Sequence, residues 1–373
     1  MLSVKALFHA WERRLAFRDD PERRVLDFAW GVEDLPPFAR WNPPSSSVGE
    51  NAGELLEGHV RAALAHSDEY FALPPVEDFT LEGGRLRFTS PAASGVAEND
   101  TVHADYFPAG TNDPAPARLG DDSASPAVVV LPQWNAREGA QEGLGRLLNR
   151  FGISALKLAL PYHERRMPPE LVRADYTLSP NIGLTLRSCR QAVVDTRAAL
   201  TWLAERGHGP LGIIGTSLGS CIAFITFAHD DRLDAGVFNH ISPFFADVVW
   251  RGISTRHVRE GLERGVDLER LRRLWLPLSP FTYYQHLKRR GRPTLLVHGR
   301  YDLSFPPDLS AELLRDFERL EIEHERFELP CGHYTTAKFP FNWMDGLRIA
   351  TFLRRRLRSG NVTGRRGENA YGT

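Results

Sequence analysis

Leu211-Gly212-Ile213-Ile214-Gly215-Thr216-Ser217-Leu218-Gly219-Ser220 is the stretch on which the fold turns. Leu211, Ile213 and Ile214 make a short apolar run of the kind that forms a strand buried on both faces. Downstream, Ala223, Phe224, Ile225, Phe227 and Ala228 continue without a breaker, as a buried helix does. Between them, Gly215-Thr216-Ser217-Leu218-Gly219 is a GxSxG pentapeptide, whose small neighbours let the chain turn sharply and expose the serine hydroxyl. The pentapeptide alone arises by chance in a glycine-rich chain, where it is an ordinary turn with a surface serine. Strand, turn and helix in that order make Ser217 the candidate nucleophile.

A serine hydroxyl is a weak nucleophile at neutral pH and needs a base within hydrogen-bond reach, itself oriented by an acid. Leu295-Leu296-Val297-His298-Gly299-Arg300-Tyr301-Asp302 runs from an apolar strand through a glycine turn to a carboxylate, at the carboxyl end where α/β sheets place their chemistry. Asp302 is the candidate acid; Asp308, ahead of Ala311, Leu313 and Leu314, reads as a helix N-cap. In Phe327-Glu328-Leu329-Pro330-Cys331-Gly332-His333, a strand and a small-residue turn again deliver one polar side chain. Of the 13 histidines, His333 alone follows the last predicted strand and precedes the last helix, so it is the candidate base. Cys331 reads as a small core residue. A tetrahedral intermediate needs two amide donors. The amide of Leu218 follows the nucleophile, and that of Trp134, or of Gln133, follows the strand Val128 to Leu131.

From Pro126 onward, buried strands alternate with helical periodicity, which predicts a mostly parallel central sheet flanked by helices. The strands fall at 128–131, 155–160, 211–214, 235–238, 294–297 and 325–329. Leu86 with Phe88, and Val102 with Ala104 and Tyr106, alternate with polar neighbours and predict two half-buried strands paired at one sheet edge. Residues 1–80 read as a helical extension with Pro/Ser-rich connections, 110–125 as a surface loop, and 81–358 as the main domain. Residues 359–373 read as a flexible tail. An insertion at about 243–292 breaks the rhythm and reads as a helical cap over the carboxyl edge of the sheet. Most of its aromatics are expected to be core; Phe244, Phe245 and Trp250 are the ones assigned to substrate.

The 373 residues carry 46 Lys+Arg against 47 Asp+Glu, a net charge of −1 that argues against general attraction to nucleic acid. The basic cluster from Arg354 to Arg358 reads as a solvated helix end. Three scattered cysteines, Cys189, Cys221 and Cys331, make neither a disulfide framework nor a zinc site and suit a reducing compartment. No stretch has the apolar length of a membrane span, and the first residues lack the pattern of a secretory signal, so a cytoplasmic location is expected. Val4, Leu7, Phe8, Trp11 and Leu15 share one helical face beside Lys5, Arg13 and Arg14. Such a helix suits a membrane surface, but packing on its own domain is the expectation.

Taken together, the elbow, the His298-Gly299 turn before Asp302, and Gly332-His333 resemble the α/β-hydrolase superfamily over roughly Val128 to Leu357. One departure is that Pro132-Gln133 stands where the oxyanion loop of that superfamily usually reads His-Gly. The wording Leu131-Pro132-Gln133-Trp134-Asn135, and Leu160-Pro161-Tyr162-His163-Glu164-Arg165-Arg166-Met167-Pro168, is similar to bacterial relatives of the eukaryotic abhydrolase-domain-containing proteins that carry a Pro-Tyr-Tyr-Gly-x-Arg-Lys-Pro segment. The second segment follows a strand and should emerge at the active-site edge. There His163, Arg165 and Arg166 are candidates to hold a substrate phosphate or carboxylate, unless an arginine instead pairs with a carboxylate such as Asp175 to fix the loop.

The sequence therefore predicts a serine hydrolase of carboxylic esters, working on a small-molecule acyl substrate through an acyl-enzyme, with no metal and no cofactor. Thioesterase, peptidase or acyltransferase chemistry would use the same triad. A hydrolase-like binding module that has lost catalysis is the alternative of another class.

Overall fold

The computed structural model describes residues 3–18, 22–41, 52–110 and 125–363. Most of the predicted loop 110–125, the Pro/Ser connection at Pro43–Ser47 and the tail beyond 363 lie outside the described residues. Among the described residues there are nine strands: β1 (Thr80–Glu82), β2 (Arg85–Thr89), β3 (Thr101–Phe107), β4 (Ala127–Leu131), β5 (Ser154–Leu158), β6 (Leu211–Thr216), β7 (Leu233–Asn239), β8 (Thr294–Gly299) and β9 (His324–Leu329). They form one sheet in the order β1-β2-β3-β5-β4-β6-β7-β8-β9. The first three strands are antiparallel, and from β5 to β9 every pairing is parallel.

The two half-buried strands predicted at the edge pair as expected, with Leu86 opposite Ala104 and Phe88 opposite Val102. The additional edge strand β1 is too short to carry a period-2 signal. In the parallel part, β4 is buried along its whole length, and its alternate residues feed two cores. Val129 and Leu131 join Leu186, Val193 and Phe224 on one face. Val128 and Val130 join Ile349, Phe352 and Leu353 of the closing helix on the other.

The order also locates the crevice. The chain leaves β4 to one side for β5 and returns to β4's other side for β6. The reversal therefore falls between β4 and β6, and the crevice outside such a switch point is where α/β sheets bind ligands. The elbow ends β6 and the Pro132–Asn135 loop ends β4.

The insertion holds the helices Phe245–Arg251, Arg256–Leu262, Leu268–Leu274 and Tyr284–Arg290. Its aromatics are mostly packing, as expected: Trp275, Tyr283 and Tyr284 are buried in the larger core, and so, against its assignment to substrate, is Phe245. That core also takes Leu56, Val60 and Ala63 from the early helix Ala52–Ala65. Among the described residues no helix is long and apolar enough to cross a membrane.

The N-terminal helix Val4–Arg18 packs on its own domain by only part of the face the sequence suggested. Val4 and Leu7 are exposed, while Glu12, Leu15 and Ala16 are buried, and Phe8 stacks on Tyr301 at 4.7 Å. A carboxylate points inward because the core offers it donors, described below.

Candidate active site

Ser217 sits at the junction of β6 and the helix Leu218–His229 with φ 57° and ψ −122°, a strained conformation that projects its side chain from the turn. Both motif glycines are required by contact. A Cβ on Gly215 would lie 2.1 Å from the Gly219 carbonyl oxygen, and one on Gly219 would lie 2.4 Å from the Pro132 oxygen. The second approach brings the start of the elbow helix against the loop after β4. The first amides of a helix, Leu218's among them, have no intrahelical acceptor. The turn is closed by Ser217 N donating to Asn239 O at 2.9 Å and Ser220 Oγ donating to Ser217 O at 2.6 Å.

Ser217 Oγ lies 3.1 Å from His333 Nε2, and His333 Nδ1 lies 3.1 Å from Asp302 Oδ2. Three side chains spread over 116 residues of sequence thus form one hydrogen-bonded line. Asp302 is buried, and its Oδ1 accepts from the Ser304 and Phe305 amides at 2.7 Å each. Burial by itself would raise the Asp302 pKa. The His333 charge, with hydrogen bonds from His240 and His333, more than offsets this and holds the carboxyl well below its ordinary range. Burial likewise lowers His333, but the Asp302 charge and hydrogen bond, with the charge of Glu12, win and raise it. Phe305 stacks on the His333 ring at 5.3 Å and fixes its plane.

Two residues of this site were not singled out by the sequence. His240, just past β7, donates from Nδ1 to Asp302 Oδ2 at 2.7 Å, and its Nε2 lies 3.0 Å from Thr336 Oγ1. The sequence signal available was a polar pair, Asn239-His240, at the carboxyl end of a buried strand. Glu12 is fully buried and accepts from Tyr334 N at 3.0 Å, Thr335 N at 2.8 Å and Thr335 Oγ1 at 2.8 Å. It holds the segment that follows His333 from outside the sheet. No local pattern marks it, because its donors lie more than 300 residues away.

In the loop after β4, Trp134 Nε1 donates to Ala174 O at 2.9 Å, and the ring stacks on His257 of the insertion at 5.7 Å. Gln133 is tied to Gln141 through its side chain at 3.4 Å. The insertion also packs Val248 against Phe305 and Leu309. It therefore packs against both the loop after β4 and the segment after β8. Phe244 and Trp250 are half-buried, whereas Phe245 is enclosed against Trp275 at 5.4 Å and faces no open space.

The Tyr162–Pro168 segment differs from expectation. Arg166 is fully buried: it donates to Asp195 Oδ2 at 2.8 Å, Asn99 O at 2.9 Å and Ala159 O at 3.0 Å, which leaves nothing for a substrate anion. Its partner is Asp195, not Asp175, which pairs with Arg173. His163 is also buried. Its Nδ1 donates to Pro161 O at 2.8 Å and its Nε2 accepts from Asn135 N at 2.9 Å, so it shapes the loop after β4 instead of meeting substrate. Arg165 is partly exposed and pairs with Glu138 at 2.7 Å. A loop that follows a strand can be anchored below the sheet edge, and here a buried carboxylate below draws the arginine inward. Asp308, read as an N-cap, is inside the helix Pro307–Arg319, where Pro306 takes the cap position; Asp308 pairs with Arg251 at 2.8 Å. Cys331 is a core residue whose thiol burial pushes up to about 12.

No family model matches the sequence, and no curated protein matches it. Solved structures do. An acylaminoacyl peptidase from Pyrococcus horikoshii superposes with a TM-score of 0.54 at 15% identity, over 79% of this chain and 44% of the peptidase. This chain thus spans less than half the length of that relative. An acetyl xylan esterase from Paenibacillus sp. R4 superposes with a TM-score of 0.54 at 14% identity, over 86% of this chain and 98% of the esterase. These neighbours are enzymes of the α/β-hydrolase superfamily. The chain has the α/β-hydrolase fold.

Proposed function

We propose that the protein is a serine hydrolase of carboxylic esters that works through an acyl-enzyme. The observation that carries this reading is the line Ser217 Oγ, His333 Nε2, His333 Nδ1, Asp302 Oδ2, with both steps at 3.1 Å. With Nδ1–H committed to Asp302, the Nε2 lone pair faces the serine hydroxyl and takes its proton as Oγ attacks the ester carbonyl. The imidazolium then formed is stabilised by Asp302 and returns the proton to the leaving alcohol. Water enters by the same base and releases the acid. The Leu218 amide and that of Trp134 or Gln133 are the donors assigned to the oxyanion, and Phe244 and Trp250 border the acyl side. The elbow's approach to Pro132 supports the first assignment.

The test is covalent labelling of the intact protein with a fluorophosphonate probe. The expected result is one adduct on Ser217, lost in Ser217→Ala together with hydrolysis of short acyl esters. Folded wild-type protein that never labels at Ser217 would refute the reading.

A further inference from the structure

Among the described residues two clusters of histidine and carboxylate have ligand-type atoms within 4.8 Å of one another. One is His240, Asp302 and His333, where all four ring nitrogens have hydrogen-bond partners. The other is Asp68, His229 and His286, and it is built differently.

His229 ends the elbow helix and is 6% exposed. Its Nδ1 donates to Ile225 O at 2.8 Å, which fixes the proton on Nδ1 and leaves a lone pair on Nε2. That Nε2 is buried without a hydrogen-bond partner, and so is Nδ1 of His286, on the last helix of the insertion. The two rings face each other at a centroid distance of 5.1 Å. The His229 ring is held between Phe71 at 4.8 Å and Tyr283 at 4.7 Å, so its aim is fixed before anything binds. Asp68, in the short helix Ser67–Tyr70, completes the group from the solvent side.

Two buried ring nitrogens without hydrogen-bond partners are unfavourable in a packed interior unless something fills both. A backbone carbonyl on the far nitrogen of a histidine is how metal-ligating imidazoles are oriented. Of the nearby cations, Arg197 pairs with Asp230 and Arg290 with Asp231, while Arg289 also acts on His286. Three atoms no more than 4.8 Å apart have a common point within about 2.8 Å of each. Closing to the ~2.1 Å of zinc–nitrogen and zinc–oxygen bonds needs a shift of about 0.7 Å per ligand.

We propose that Asp68, His229 and His286 form a site for one divalent transition-metal ion of the zinc type, with water as the fourth ligand. The ion would join the early helices, the elbow helix and the insertion, and this inference does not depend on the proposed hydrolysis. Imidazole and carboxylate donors select zinc, cobalt or nickel over calcium or magnesium.

The test uses the full chain without a histidine tag, stripped with chelator and titrated with zinc by calorimetry, in parallel with cobalt by visible absorption. The expected result is one equivalent of zinc, a cobalt spectrum of low-symmetry tetrahedral type, and a rise of a few degrees in Tm at saturating zinc. Asp68→Asn and His286→Asn are each expected to weaken binding at least about 10-fold while leaving the metal-free Tm near wild type. Absence of stoichiometric zinc uptake by folded protein would overturn the proposal. So would uptake that neither substitution affects.

Discussion

Glu12→Gln and Glu12→Ala probe whether the N-terminal helix is part of the catalytic apparatus. The carboxylate takes two backbone amides and one hydroxyl from the two residues that follow His333. Truncation to alanine leaves three buried donors unsatisfied, at about 1–3 kcal/mol each before water compensates. We therefore expect Glu12→Ala to lose about 3–6 kcal/mol of stability. Glutamine keeps the shape and one acceptor oxygen, so it should lose about 1–3 kcal/mol and remain folded. The His333 ring is positioned through this segment, and a small misplacement of a catalytic group costs up to about 100-fold. We expect kcat/KM to fall about 10-fold for glutamine and about 100-fold for alanine, with KM little changed.

The charge adds a second signature. Around His333 stand Ser217, Asp302, His240, Tyr334 and Glu12, and both Asp302 and Glu12 raise its pKa. Removing the Glu12 charge lowers that pKa. In the proposed mechanism only neutral His333 acts as base, so the acid limb of the kcat/KM profile should move to lower pH in Glu12→Gln. The assay is a pH series on a short acyl ester, with Tm recorded for each variant. A folded Glu12→Gln whose kcat/KM is within twofold of wild type and whose acid limb has not moved would refute the reasoning.

Asp302→Asn should cost about 10⁴-fold in kcat, because an amide facing His333 Nδ1 favours the wrong tautomer. The carboxylate's depressed pKa contributes stability that is present above the ordinary carboxylate range and lost as pH falls through the depressed value. The Tm gap between wild type and Asp302→Asn should therefore narrow on acidification below about pH 4. Gly219→Ala places a methyl 2.4 Å from the Pro132 oxygen and 2.5 Å from the Leu131 oxygen, so both must move. It should lower stability by about 1–3 kcal/mol or more and abolish fluorophosphonate labelling; unaltered labelling kinetics would count against the tight approach. Arg166→Met leaves Asp195 buried without its counter-charge and should cost about 3–5 kcal/mol, read as a lower Tm. A selective rise in KM for anionic esters, with Tm unchanged, would instead restore a substrate role for Arg166.

By itself the sequence determined the elements that repeat with a period and the groups that end them. Buried strands betray themselves by uninterrupted apolar runs such as Val128-Val129-Val130-Leu131, and each candidate site residue stands after a small-residue turn at the end of one. Ser217, Asp302 and His333 were legible for that reason, since local chain geometry alone delivers them to one edge of a parallel sheet. Only the tertiary structure decided what faces what across long sequence separations. Glu12 pairs with Thr335 and Arg166 with Asp195, and the His229 and His286 rings meet across the insertion. Burying a polar group is tolerable only where partners wait for it. Those partners come from other elements, so the inward turn of Glu12 and Arg166 left no periodic mark on the chain.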